Sequence, residues 1–378
     1  MMERRKNLND KFGFVEIMEY TSIGESCSVV SGGTPSRSKN EYWENGNIPW
    51  IKIGNIKSKY VNEYDELITE QGLNNSSAKL LKKGTILYTI FATLGEVAIL
   101  DIEACTNQAI AGINITNPRI TTDYLYYYLK SKKDYVNNIG RGVAQNNINL
   151  TTLKNFEIPL IDVDKQLNIV EILEKVERMI CLKEKEIDDL DLLIKARFIE
   201  MFGDPVLNER KFPTLSGADF FKLSNGRAVP DEKRIETGIP AYGGNGISWY
   251  TDEFLMAEDT IVVGRVGFQS GNVHYVIGPL WITDNAMYIS QYDKDKFNLR
   301  FLCELMQHVN FSRFQDAGDL KKITQKPFMT FKYILPSMDL QQKFVNFKIE
   351  VDKSREEVKK SLEKTQQLYD SLMQEYFG

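Results

Sequence analysis

Histidine is the scarcest chemical resource in this chain: in 378 residues there are two, His274 and His308. That leaves little material for a histidine-based metal centre or a nucleophilic triad. Both are expected to be ordinary members of a strand and a helix, with no chemistry assigned. Cysteine is nearly as sparse. Cys27, Cys105, Cys181 and Cys303 lie far apart and form no CxxC pair, so structural metal and a disulfide framework are not expected, and reduced thiols in a cytoplasmic protein are. No run of 18 apolar residues occurs, so no membrane span is expected. The opening "MMERRKNLNDKFGF" is charged and polar, unlike a secretory leader. A strong charge of one sign is also missing: the net charge is −5. Residues 162–204 hold seven basic against twelve acidic groups, and 339–378 seven against eight, of 47 basic and 52 acidic overall. The rest of the chain is therefore balanced, and a local positive face is permitted there.

What the chain does have is duplication. "FEIPLIDVDKQLNIVEILEKVERMICLKEKEIDDLDLLIKARFIEMFG" (Phe156–Gly203) returns as "YILPSMDLQQKFVNFKIEVDKSREEVKKSLEKTQQLYDSLMQEYFG" (Tyr333–Gly378). A shift of 175 places Gln166 on Gln341, Val170 on Val345, Val176 on Val351 and Phe202 on Phe377. Both copies predict long helices. In the first, Leu173, Ile180, Ile187, Ile194 and Met201 recur every seventh residue, joined by Val176 and Leu190, a coiled-coil seam that Lys183 interrupts between those last two. In the second, Arg355 stands where Ile180 does and Val358 where Lys183 does. Neither seam is complete alone, so each is expected to pack on the other.

One body precedes each helix, Met1–Ile158 and about Phe212–Leu335, and both are rich in β-branched, glycine-punctuated runs such as "IPWIKIGNI", "GTILYTIFATLGEVAIL" and "DTIVVGRVGFQSGNVHYVI". Short helices are predicted at Thr122–Lys132 and Leu299–Val309. The bodies echo each other weakly: Thr106–Ile110 matches Thr283–Met287 at a shift of 177. The expected fold class is α+β, with two pseudo-symmetric β-rich lobes joined by two long coiled-coil helices.

"SGGTPSRSKNEYWENGNIPWIKIGNI" (Ser31–Ile56), "TNQAIAGI" (Thr106–Ile113), "GVAQNNINLTTLKNFEIPL" (Gly142–Leu160) and "KQLNIVEILEKVE" (Lys165–Glu177) together resemble the DNA specificity subunit of type I restriction–modification systems. The resemblance spans nearly the whole chain. The second half follows it more loosely, with Gly226–Pro230 in place of Gly-Gly-Thr-Pro-Ser and "GIPAYGGNGI" in the other motif. The resemblance implies a target recognition domain at 1–158, a spacer helix at 159–203, a second recognition domain at 204–335 and a second spacer helix at 336–378. It implies double-stranded DNA as ligand, each lobe reading one half of a bipartite, asymmetric site, with the two long coiled-coil helices pairing antiparallel and setting the gap. It further implies two methyltransferase subunits as partners, restriction and translocase subunits docked through them, and a role in DNA methylation and phage defence. The chain itself would be non-catalytic, with S-adenosylmethionine and ATP with magnesium held by partner subunits. The residues agree. An Asn-Pro-Pro-aromatic motif is absent, Asn117-Pro118-Arg119 being the nearest, and no GxxxxGK[ST] loop occurs. "PDEKR" (Pro230–Arg234) reads as a turn with solvated charges. Two alternatives stand beside this reading: an interaction scaffold that does not read DNA, and the specificity chain of a related system outside type I. With so little net positive charge, the isolated chain is expected to bind DNA weakly and with strong salt dependence.

Candidate DNA contacts follow from side-chain chemistry. The turn Gly32–Arg37 offers the hydroxyls of Thr34 and Ser36 and the guanidinium of Arg37, suited to phosphates or a guanine edge. Lys52 and Asn55 are expected on the polar face of a strand, with Trp50 in the core. Arg141, between glycines, is a phosphate candidate. Gln145, Asn146 and Asn147 bear amides that can pair with adenine or simply build turns and caps. The second lobe offers Tyr242, which either stacks or is buried, together with Asn245, Arg265, and Lys321 and Lys322 in a backbone-contacting loop. Asn107 and Gln108 sit in the motif both lobes share and are expected to be structural.

Overall fold

The computed structural model describes residues 19–140, 147–228, 230–318 and 321–378. Four helices organise it: α1 (Thr122–Ser131), α2 (Val163–Phe202), α3 (Leu299–Val309) and α4 (Met338–Phe377). The long pair, α2 and α4, contain 40 residues each, about 60 Å of helix apiece at 1.5 Å per residue. The chain divides into two compact units that cut both long helices near their middles. Unit one runs to Leu182 and returns at Leu362–Gly378, and unit two is Lys183–Ser361.

In unit one the strands of the two larger sheets are β1 (Cys27–Ser31), β2 (Ile48–Ile51), β3 (Tyr60–Val61), β4 (Glu66–Ile68), β5 (Ile86–Thr89), β6 (Val97–Leu100), β7 (Cys105–Thr106) and β8 (Ile110–Ile115). They make a five-stranded sheet in the order β1-β8-β5-β6-β3 and a three-stranded sheet β4-β2-β7. Unit two has β9 (Phe221–Asn225), β10 (Ile239–Gly243), β11 (Gly246–Thr251), β12 (Thr260–Gly264), β13 (Val273–Val276), β14 (Trp281–Ile282) and β15 (Ala286–Tyr292). Its two larger sheets are β9-β15-β12-β13 and β11-β10-β14. The plan is the same. In both units a short strand lies parallel to the strand that opens with Ile-Pro: β7 beside β2, and β14 beside β10. Among the described residues, the fifth strand of the larger sheet, β3, has no counterpart in unit two.

The repeated glutamines have repeated jobs. Gln166 is fully buried; its Oε1 accepts from Thr121 N at 2.9 Å, and its Nε2 donates to the carbonyls of Arg119 (2.6 Å) and Ile161 (2.9 Å). Gln341, equally buried, accepts from Asn298 N at 2.9 Å and donates to the carbonyls of Lys296 and Pro336, each at 2.9 Å. Thr121 and Asn298 are the N-cap residues of α1 and α3. One buried amide therefore ties the start of each long helix to the start of a lobe helix, where backbone N–H groups lack helical partners.

The Phe-Gly ends close the same joint from the other side. In unit one Phe377 of α4 packs on Tyr124 and Tyr128 of α1. In unit two Phe202 of α2 packs on Phe301 of α3. Each lobe helix is thus held between the beginning of one long helix and the end of the other. Within unit two the long helices run antiparallel: Lys183 Nζ donates to Ser361 Oγ at 2.8 Å, Asp191 meets Arg355 at 2.5 Å, and Phe198 meets Phe344.

The heptad seam is apolar only near its ends. Leu173 and Ile194 are buried, whereas Ile180 and Ile187 are half-buried. Near Ile187, Lys183 and Asp191 take polar partners instead of apolar ones. In unit one the contact with α1 is also polar: Glu177 accepts from Lys130 Nζ (2.6 Å), Tyr127 Oη (2.6 Å) and Tyr369 Oη (2.8 Å). Burial pushes the Glu177 carboxyl up, but these donors outweigh it and hold it below its ordinary value. Unit two reverses the polarity, with Glu304 of α3 against Lys348 of α4 at 3.2 Å.

Candidate nucleic-acid interface

The turn after β1 is built by close packing. Gly32 N donates to Ile110 O at 3.0 Å, and a Cβ on Gly32 would fall 2.2 Å from Asn107 O. In unit two, Gly226 takes the same place, where a Cβ would fall 2.0 Å from Thr283 O. Glycine at these positions serves the lobe's architecture. Thr34 Oγ1 donates to the side chain of Gln108, and Ser36 Oγ shares a hydrogen with Ser38 Oγ at 2.9 Å. Gln108 is thereby tied to the turn, and Asn107 Oδ1 accepts from Ala109 N at 3.1 Å.

Arg37 lies in an aromatic and acidic setting. Its guanidinium sits 3.6 Å over the Trp43 ring and 5.0 Å from that of Trp50, and it pairs with Glu66 at 2.5 Å. Lys52 Nζ reaches the same Glu66 at 2.6 Å. These cations, Arg37 first, hold Glu66 below the usual carboxylate range against a smaller opposing effect of burial. The expected strand carrying Lys52 and Asn55 is corrected here. β2 ends at Ile51, and Ile53–Asn55 form a 3-10 turn. Asn55 is buried, accepting from Lys52 N at 2.9 Å and donating to Asp65 at 3.1 Å. The apparent alternation arose because Ile53 and Ile56 reach the core from a turn. Trp50 is core, 3% exposed, with its indole N–H on Gly33 O at 2.9 Å.

The second group of candidates gathers at one hairpin tip per lobe. In unit one the β5–β6 hairpin brings Phe91 into a bridge with Asn147, and Ile148 N donates to Ile90 O at 3.0 Å. In unit two the β12–β13 hairpin brings Val266 into a bridge with Lys322, and Ile323 N donates to Arg265 O at 3.0 Å. Asn147 and Lys322, read separately from the sequence, thus occupy the same position in two copies of one lobe. Arg141, Gln145 and Asn146 lie outside the described residues. Asn149, next to that group, is an N-cap whose Oδ1 accepts from Thr152 N at 2.7 Å.

Arg265, Lys321 and Lys322 are all exposed. Gly267 N donates to Lys321 O at 2.8 Å, and Arg265 Nη1 to Asp284 O at 3.3 Å. Asn245 is exposed at the β10–β11 turn, beside Gly244, where a Cβ would lie 3.1 Å from Gly264 Cα. Tyr242, by contrast, is half-buried against the small core of Val262, Leu280 and Ile282. Sequence reasoning missed two features: the acids Asp65 and Glu66, and the exposed Phe268 of the β12–β13 tip. A phenylalanine bracketed by glycines in "GFQSG" was the available signal for the latter.

Elsewhere the titratable groups are committed to structure. Burial lowers the pKa of His274, and His308 stacks on Phe198 at 3.9 Å between ring centroids. Burial pushes the Cys27 and Cys303 thiols up to about 12 and Cys105 to about 11. In "PDEKR", Arg234 pairs with Asp231 and Lys233 with Glu253, each at 2.6 Å. Among the described residues no cluster of three His, Cys, Asp or Glu side chains is arranged to hold a metal, and no helix is long and apolar enough to cross a membrane.

Comparison with known proteins agrees with this geometry. The chain is 33% identical over 201 residues to the type I restriction enzyme MjaIX specificity subunit of Methanocaldococcus jannaschii, covering 51% of this chain and 45% of that subunit. That match spans under half of the relative's length. The EcoprrI specificity subunit of Escherichia coli is 23% identical over 345 residues, 86% of this chain and 85% of the relative. The fold is shared with a type I S subunit from M. genitalium (TM-score 0.60, 18% identity, 97% and 98% of the two chains). It is also shared with a chain from a structure concerned with assembly of the type I R-M system (TM-score 0.64, 14% identity, 97% and 99%). The type I restriction modification DNA specificity domain matches twice, over residues 16–192 and 212–365. With most of its length so matched, one copy to each lobe, this chain belongs to the family of type I restriction modification DNA specificity domains.

Proposed function

We propose that this chain is the DNA-reading specificity subunit of a type I restriction–modification complex. Each lobe recognises one half of a bipartite, asymmetric site in double-stranded DNA. The chain also scaffolds two methyltransferase subunits and, through them, restriction and translocase subunits, as a non-catalytic component in the cytoplasm. The observation that carries this reading is the twin hairpin tip: the same backbone constellation bears Phe91 with Asn147 in one lobe and Arg265, Phe268 and Lys322 in the other. A shared frame with unlike side chains is what two readers of different sequences require, because base edges are told apart by side-chain chemistry.

In this reading Thr34, Ser36, Arg37, Asn147, Asn245, Arg265, Lys321 and Lys322 face DNA. Arg141, Gln145 and Asn146 are proposed as DNA contacts on their side-chain chemistry alone, while Lys52, Asn55 and Tyr242 support the surface from behind. S-adenosylmethionine and ATP with magnesium serve the partner subunits, and this chain contributes no group to their chemistry. The non-catalytic role is supported by histidines and three thiols committed to packing. Methylome sequencing of cells with and without the gene tests the proposal. A split methylated motif that disappears on deletion is the expected result; an unchanged methylome would refute it.

A further inference from the structure

Resting on that reading, we propose that Phe268 is an apolar wedge that enters a base step of the half-site bound by the second lobe. Phe268 is 84% exposed, more than any other large apolar side chain among the described residues. Exposure alone decides nothing, since single surface hydrophobes are ordinary. Three further observations point to DNA.

The ring is carried on a braced turn. Gly267, at φ +85°, turns the chain so that the next side chain projects, and its N–H is held by Lys321 O at 2.8 Å. Ser270 N donates to Gly267 O at 3.0 Å and Gly271 N to Gly264 O at 2.8 Å. Gln315 Nε2 reaches the carbonyl oxygens of Phe268 and Ser270. A side chain presented on so many backbone bonds inserts without first having to be ordered.

The surroundings are cationic. Lys321 Nζ lies 5.7 Å from the ring centroid. Arg265, Lys322 and Arg313 are exposed on the adjoining segments, against the acids Asp284 and Asp316. An apolar protein surface closing over Phe268 would strip water from these cations without compensation. A duplex satisfies both demands at once, with phosphates for the cations and base faces for the ring.

The other lobe carries a related device. Its equivalent tip presents Phe91, 45% exposed, beside Ala92 at φ +63°. There the ring precedes the left-handed residue, whereas Phe268 follows it. The two lobes would thus place their rings at different steps.

The experiment uses the full chain purified with its co-expressed methyltransferase subunits. The probes are duplexes of the methylome-defined site carrying 2-aminopurine at single positions of each half-site. Wild type and F268L should raise 2-aminopurine fluorescence at one step of one half-site. F268A should leave it at the free-duplex level and weaken binding by roughly 5- to 150-fold, the range for loss of one base–aromatic contact. Fluorescence at every position equal between wild type and F268A would overturn the wedge while leaving DNA reading intact. Wild-type complex that fails to bind the site by anisotropy would overturn both. F268A complex that loses its methyltransferase subunits while retaining the fluorescence step would assign Phe268 to a protein contact and also overturn the wedge.

Discussion

Replacing Gln341 with leucine keeps nearly the same volume and deletes every polar atom of the side chain. Three backbone groups are then left facing hydrocarbon: the N–H of Asn298 and the carbonyls of Lys296 and Pro336. At about 1 to 1.5 kcal/mol for each lost hydrogen bond, the cost is about 3 to 4.5 kcal/mol. Q341E should be worse at neutral pH. It keeps the acceptor for Asn298 N but sets a buried negative charge against two carbonyl oxygens, each 2.9 Å from the present amide nitrogen. Domains are stable by roughly 5 to 15 kcal/mol, so unit two would become marginal. Hydrogen exchange followed by mass spectrometry on the full chain reads this directly. In Q341L, protection at the start of α3 and at 336–341 should fall at least 100-fold, because each 1.4 kcal/mol is a factor of ten. Q166L should do the same at the start of α1, where Gln166 serves Thr121, Arg119 and Ile161. A loss below about 1 kcal/mol, or an equal loss over both units in either variant, would refute the claim that each glutamine pins its own lobe.

Three other outcomes can be checked independently. E66Q removes the charge that engages Arg37 and Lys52; DNA affinity by anisotropy should rise and its salt dependence steepen by about one to two phosphate contacts, whereas an unchanged slope would place Arg37 away from DNA. The Glu177 carboxyl lies below its ordinary value of 4.5 in the folded chain, so its contribution is present above that pH and lost as pH falls through the depressed folded value. Wild type should therefore out-melt E177Q at pH 7 by a margin that shrinks below about pH 4.5; a constant margin would contradict the assignment. A thiol reagent at pH 8 should label Cys181 alone, since the other three cysteines are buried, with all four reacting after denaturation.

The long helices and both lobe helices were legible because their signals are local. The heptad spacing of Leu173 to Met201 and the apolar run after Asn298 need no distant partner to be read. α3 has the predicted bounds, and α1 ends at Ser131, one residue early. The environment of Arg37 was not legible. Glu66 reaches it because β2 and β4 pair with Trp50 opposite Glu66, and no local pattern encodes a register between separate segments. Lys52 and Asn55 misled for the opposite reason: a local alternation was real, but the chain enters a 3-10 turn at Ile53, with the Asn55 side chain on Lys52 N, where a strand would have continued. The 175-residue shift already sets Asn147 on Lys322, but only the shared hairpin shows that the two positions meet the strand tip of their lobes.

The placement of Phe377 has a consequence for how the chain comes off the ribosome. Domains usually fold as they emerge, first residues first. Here the first lobe cannot complete its core that way: Phe377, 3% exposed, and Tyr369 belong to the same buried cluster as Tyr124 and Leu173. Every residue of the second lobe is synthesised before those side chains exist. The earlier-made half must wait, partly open, for a stopper delivered by the later-made one.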